Sequence, residues 1–178
     1  MTLYPSYGLE IPLPTKRKAF VSYHHGGDQA YYDYFAAKLA DQYEVITDNS
    51  LERKIQSDNV DYVMRCIREN YVSGSSCTIV LCGVGTRGRK YVDWEISATL
   101  DKQHGLLGVK LPNNPVYNDN TCDKPDRLQD NLDTGYAIWT WWENIIDNPA
   151  NLTSLIEQAN AKPKNLINNR RPLRKQNA

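Results

Sequence analysis

A chain of 178 residues with 40% hydrophobic and 24% charged side chains suits one domain with a real core and short extensions, and leaves little room for a second full domain. Net charge is zero, but Lys162, Lys164, Arg170, Arg171, Arg174 and Lys175 follow Glu157 with no acidic neighbour, leaving 15 of the 21 basic side chains against all 21 acidic ones in residues 1–157. That acidic body argues against a nucleic-acid groove, and no apolar run reaches the roughly 18 to 20 residues that span a bilayer.

The N-terminal residues lack the apolar block of a signal peptide, so a cytoplasmic location without membrane partners is expected. Residues 1–17 contain Pro5, Pro12 and Pro14 with little periodicity and predict an extended arm, because proline removes backbone donors. Residues 18–161 carry the body. Residues 162–178 read as a basic, flexible tail, because like-charged ends usually stay solvated.

Within the body, the apolar run KAFVSY from Lys18, bounded by HHGGD, predicts a buried first strand. Asp28 then stands where a residue can cap a helix whose Tyr31, Phe35 and Leu39 recur at helical spacing. YEVIT, residues 43–47, predicts a second strand, and the polar residues 48–59 form a loop too long for a minimal turn; such loops often carry function. Val60, Val63, Met64, Ile67 and Tyr71 mark one helix face, and SSCTIVLCG from Ser75 reads as a third buried strand.

That strand turns through glycines into a helix with a buried face of Val92, Ile96, Thr99 and Leu100. At about 100° per residue, Glu95 falls on the flank of this face near Tyr91, bordering a cleft, while Trp94 falls on the side away from the core as a surface or assembly residue. GLLGVKL from Gly105 predicts a fourth strand, residues 112–133 a polar lid or packing insertion, and GYAIWTWW from Gly135 a fifth strand. Leu152, Leu155, Ile156 and Ala159 predict a final helix over 151–161. The alternation of strands and helices predicts an α/β fold, a five-stranded parallel sheet with helices on both faces.

Chemistry-bearing motifs are few. FVSYHHGGD places His24, His25 and two glycines after the first strand, where backbone amides and a helix N-terminus can hold phosphate or ribose, although these residues alone favour an ordinary strand-to-helix turn. Only His104 remains as a further histidine, so no metal site is expected. Cys66, Cys77, Cys82 and Cys122 lack zinc-site or disulfide-scaffold spacing and read as reduced thiols. GVGTRGRK lacks the spacing and terminal Lys-Ser/Thr of a P-loop. A glutamate in the first turns of a helix is favourable with the helix dipole, so Glu95 by itself is an ordinary residue there.

Taken together, KAFVSYHHGGD, VLCGVGTRGRKYVDWEI and PDRLQDN with GYAIWTWW resemble the bacterial TIR-like domain family of Thoeris antiphage defence, over about residues 16–160. The most specific part is the order Gly83, Thr86, Arg89, Lys90, Tyr91, Val92, Glu95 and Ile96; the family often has Trp where Tyr91 stands. The resemblance implies a flavodoxin-like, three-layer TIR-type fold and an enzyme that consumes NAD as substrate, with no separate cofactor. It implies Glu95 as the catalytic residue cleaving the nicotinamide glycosidic bond, with nucleotide contacts from Ser22, Tyr23, His24, His25, Asp48 and Tyr91. The Asp48 loop also matches a segment that TIR domains use for self-association. The product is expected to be a cyclic ADP-ribose isomer or an ADP-ribose conjugate, a messenger that reaches a separate effector by diffusion. A non-catalytic TIR-like scaffold and a base-transfer enzyme acting on simple nucleosides are the rival readings.

Overall fold

The computed structural model describes residues 17–40, 43–46 and 59–178. Its strands are β1 (Arg17–Ser22), β2 (Tyr43–Ile46), β3 (Cys77–Cys82), β4 (Gly105–Lys110) and β5 (Ile138–Trp141), paired in parallel in the order β2-β1-β3-β4-β5. That order belongs to doubly wound, flavodoxin-like sheets, with the switch point between β1 and β3. There Ser22, the last residue of β1, stands opposite Val80.

Alternation along the strands divides the core. Ala19, Val21, Ile79, Leu81, Leu107 and Val109 project to one face, where α1 (His25–Leu39) packs through Phe35 and Leu39 and α6 (Pro149–Asn160) through Leu152, Ile156 and Ala159. Their neighbours project to the other face. Val80, Cys82 and Leu106 meet Val92, Ile96 and Leu100 of α3 (Lys90–Asp101), with Leu128 of α4 (Asp126–Asp133). Phe20 meets Val63, Met64 and Ile67 of α2 (Val60–Cys66) and of the π-helical turn Ile67–Val72 that continues it. Asn59 caps α2, its side chain accepting from the Tyr62 amide at 3.0 Å.

Several boundaries differ from the pattern in the sequence. Helix α1 starts at His25 with His24 as its N-cap, and Asp28 lies fully buried inside the first turn instead of capping it. The 112–133 connection contains α4, whose buried face includes Arg127 and Asn131 beside Leu128, so apolar periodicity could not reveal it. β5 ends at Trp141, and Trp142 opens the short helix α5 (Trp142–Ile146), which carries its ring against Tyr31, Tyr34 and Phe35 of α1. Residues 1–16 of the N-terminal arm and residues 48–58 of the loop lie outside the described residues; Arg17 opens β1 and Asn59 caps α2.

The basic segment expected to be solvated is instead bound to the body. Leu166 and Ile167 pack on the α3–α4 core, Leu173 packs on the cluster around Trp94, and Asn168 exchanges hydrogen bonds with Asn131 at 2.8 and 2.9 Å. Arg171 pairs with Asp130 at 2.7 and 2.8 Å, and Arg174 with Asp126 at 3.1 Å. Arg171 and Arg174, which lack acidic neighbours in sequence, thus find them on α4. No helix among the described residues is long and apolar enough to cross a membrane.

Candidate functional site

Beyond the carboxyl ends of β1 and β3, where sheets of this kind form their ligand crevices, a glycine turn meets a buried acid. Gly83 N–H donates to Thr86 Oγ1 at 3.0 Å, and the Thr86 hydroxyl donates to Asp28 Oδ2 at 2.9 Å. Asn113 donates to the other oxygen, Asp28 Oδ1, at 2.9 Å. A Cβ on Gly83 would lie 2.1 Å from that oxygen, so only glycine lets the carboxylate sit against the turn. Gly85 holds φ 80°, the left-handed region that glycine enters without steric cost. Asp28 thus clamps α1 to the loop that leads into α3.

Glu95 lies in the second turn of α3 and is 7% exposed. The alternation that sends Phe20 toward α3 sends Ser22 the same way, and the Ser22 hydroxyl donates to Glu95 Oε2 at 2.5 Å. A hydroxyl bond to an ionised carboxylate is charge-assisted, which makes it stronger than a neutral pair. The helix phase put Glu95 on the flank, bordering a cleft; the structure instead buries its carboxylate beside the end of β1.

On the β1 side, His24 stands between the glycines. A Cβ on Gly26 or on Gly27 would come within 3.1 Å of its imidazole, and one on Gly85 would lie 3.8 Å from His24 Nδ1 and 3.6 Å from Arg89 Nη2. His24 Nδ1 and Arg89 Nε are buried atoms without a hydrogen-bond partner among the described residues, as is Asn113 Oδ1. Unsatisfied buried polar atoms are uncommon, and a convergent set at the end of a strand is where a polar ligand group would find partners. The first amides of α1 stand beside them; Gly27 and Asp28 use theirs on the His24 carbonyl, at 3.2 and 2.8 Å.

Tyr23 donates to Gln29 at 2.9 Å, stacks on Tyr32 with ring centres 4.6 Å apart and lies 4.2 Å from the His25 ring. Burial pushes its phenol well above the ordinary value, so it stays protonated. The structure thus brings Ser22 directly to Glu95 and places Tyr23, His24 and His25 along the adjoining strand end. Tyr91 turns its ring edge-on to Trp94, 5.8 Å away, and packs on the cluster that holds Phe20. Trp94 is 5% exposed, not a surface residue, because its indole N–H donates to the Arg174 carbonyl at 2.9 Å.

Asp28, Thr86 and Asn113 are site-shaping residues that sequence reasoning missed. The acid in HHGGD and the threonine in GVGTRG were visible there, but nothing along the chain paired them across 58 positions. The cysteines are free, and burial pushes the Cys77 thiol up to about 12 and Cys82 higher still, so neither is a ready nucleophile. No group of three or more potential metal ligands is found among the described residues.

A doubly wound α/β domain with a buried carboxylate and orphaned polar atoms at its switch point is the class that fold and site define. The chain belongs to the family described as Thoeris protein ThsB, TIR-like domain, whose sequence model matches residues 20–115, over half of its length. No curated protein matches it. Among solved structures it is similar to the TIR domains in the activated Roq1 resistosome directly recognizing the pathogen effector XopQ, at 14% identity over 83% of this chain and 86% of that one, with a TM-score of 0.40.

Proposed function

We propose that this domain cleaves the nicotinamide glycosidic bond of NAD and passes on the ADP-ribosyl group as a signalling product in antiphage defence. The observation that carries this reading is the Ser22–Glu95 bond, which holds a largely buried carboxylate at the sheet's switch point. Loss of nicotinamide builds oxocarbenium character on the ribose, as in glycoside hydrolysis. A preorganised carboxylate in a water-poor site stabilises that charge far better than bulk water does. Nicotinamide leaves as a neutral group, so the site needs no strong general acid.

In this reading Ser22 satisfies Glu95 at rest, and a ribose hydroxyl takes over that role when substrate enters. The orphaned His24 Nδ1 and Arg89 Nε supply donors for the nucleotide's phosphates or hydroxyls, beside the N-terminus of α1. Capture of the ADP-ribosyl group by one of its own atoms gives a cyclic isomer, and capture by a small acceptor gives a conjugate. Tyr23, His25 and Tyr91, with Asp48 on its loop, complete the proposed nucleotide contacts. Self-association and a downstream effector reached by the product belong to the same proposal.

A second reading has one observation in its favour. Glu95 is only 7% exposed and already hydrogen-bonded, the state expected of a structural carboxylate in a non-catalytic scaffold. Nicotinamide release from NAD separates the two: the enzyme reading requires release by the native chain and its loss in Glu95→Gln. Release at equal rates by both proteins assigns Glu95 to structure.

A further inference from the structure

Helix α3 carries Glu95 but does not cap itself, since its N-cap residue, Arg89, makes no side-chain capping bond. The cap comes from far along the chain. Asn177 Oδ1 accepts the Lys90 amide at 2.9 Å, and the residue 178 amide donates to the Gly88 carbonyl at 3.0 Å. A Cβ on Gly88 would lie 2.3 Å from the carbonyl oxygen of that residue, so the turn before α3 is shaped to receive this segment.

The two residues immediately before Glu95 are committed to the same segment. Asp93 Oδ2 accepts the Arg174 amide at 2.8 Å, and Trp94 Nε1–H donates to the Arg174 carbonyl at 2.9 Å. Arg127, fully buried, forks onto Asp93 at 2.9 and 3.2 Å and gives its other donors to the carbonyls of Arg171 and Pro172 at 2.8 and 3.1 Å and to Asn169 Oδ1 at 2.7 Å. Most of these bonds read main-chain atoms of the segment. The first two turns of α3 are therefore held from outside by residues 168–178 and from the sheet side by Ser22.

We propose that residues 168–178 are a positioning strap for the reacting carboxylate, acting through Asp93, Trp94 and the Lys90 amide to set the rotation and order of α3. This rests on the reading of Glu95 as the reacting group. Asp93, Trp94 and Asn177 are positioning residues in this scheme and touch no substrate. Side chains of the segment add to this hold on α3: Asn169 donates to the Ser97 carbonyl and hydroxyl and to Asp101 at 3.1, 3.2 and 2.8 Å.

The test uses the full chain with Asn177→Ala, which removes the cap, and Trp94→Phe, which keeps a ring but removes the indole donor. Losing a cap or one hydrogen bond corresponds to about a fivefold rise in local opening. Hydrogen exchange of residues 90–97 is expected to rise by about that factor in each variant. Turnover of NAD falls severalfold with KM unchanged, while the urea midpoint of the whole chain moves little. Wild-type exchange over 90–97 in both variants, with trypsin cutting faster after Arg174 and Lys175, overturns the inference; so does faster exchange with undiminished turnover. If the native chain releases no nicotinamide, the reading of Glu95 falls, and exchange over 90–97 decides the strap on its own.

Discussion

Ser22→Ala removes the hydrogen bond from the end of β1 to Glu95. Ser22 is 1% exposed and Glu95 7%, so water cannot readily replace the lost donor. The side chain loses only one oxygen atom, so the missing hydrogen bond outweighs any loss of packing. A hydrogen bond to a charged group is worth about 1.5 to 3 kcal/mol, so the variant should lose about 2 kcal/mol at neutral pH. For a domain of this size that corresponds to a fall in Tm of about 4 to 8 °C. Urea unfolding of the native chain, Ser22→Ala, Glu95→Gln and the double variant forms a cycle that isolates the pair. With a neutral amide as acceptor, Ser22→Ala should cost only about 1 kcal/mol. Equal costs in the two backgrounds, or a loss below about 0.5 kcal/mol in the native background, would refute the reasoning.

Gly83→Ala drives a methyl group into Asp28, which is fully buried and held by Thr86 and Asn113; a loss of about 1 to 3 kcal/mol is expected in urea unfolding, and a neutral result means that the clamp gives way freely. Arg127→Ala strips Asp93 of its buried partner and should cost about 3 to 5 kcal/mol, measured the same way, together with faster tryptic cleavage of residues 168–178. His104 has its pKa lowered by burial, then by Lys102 and Lys164, so the fold prefers the neutral ring. Its contribution is complete above the unfolded value of 6.5 and is lost as pH falls from there through the lowered folded value. Stability should decline as pH falls below the unfolded value of 6.5, and His104→Gln should flatten that slope; an unchanged slope assigns it to other groups.

The sheet and its main helices were legible because each strand is a short apolar run and each large helix keeps an apolar face at regular spacing. Val92, Ile96 and Leu100 lie against the sheet as their spacing indicates. Helix phase put Glu95 on the flank of the helix, and its burial was not legible because its partner, Ser22, lies 73 residues away on a different element. Trp94 was misjudged because its burial depends on a backbone carbonyl at residue 174, a partner with no side-chain signature. Helix α4 was hidden because Arg127 and Asn131 occupy its inner face. The strap was hidden for the converse reason: a run of cations looks solvated until Asp126 and Asp130 are seen opposite it.

Nicotinamide release from NAD by the full chain, compared with Glu95→Gln, tests the central claim most directly, with extract from phage-infected cells added to supply any trigger. The account predicts release by the native chain, an ADP-ribose-derived product in the mass spectrum, and turnover reduced at least about a hundredfold in the variant, as for loss of a single electrostatic catalytic group. Release at the native rate by a folded Glu95→Gln, or intact NAD with the native chain in the presence of that extract, would contradict it.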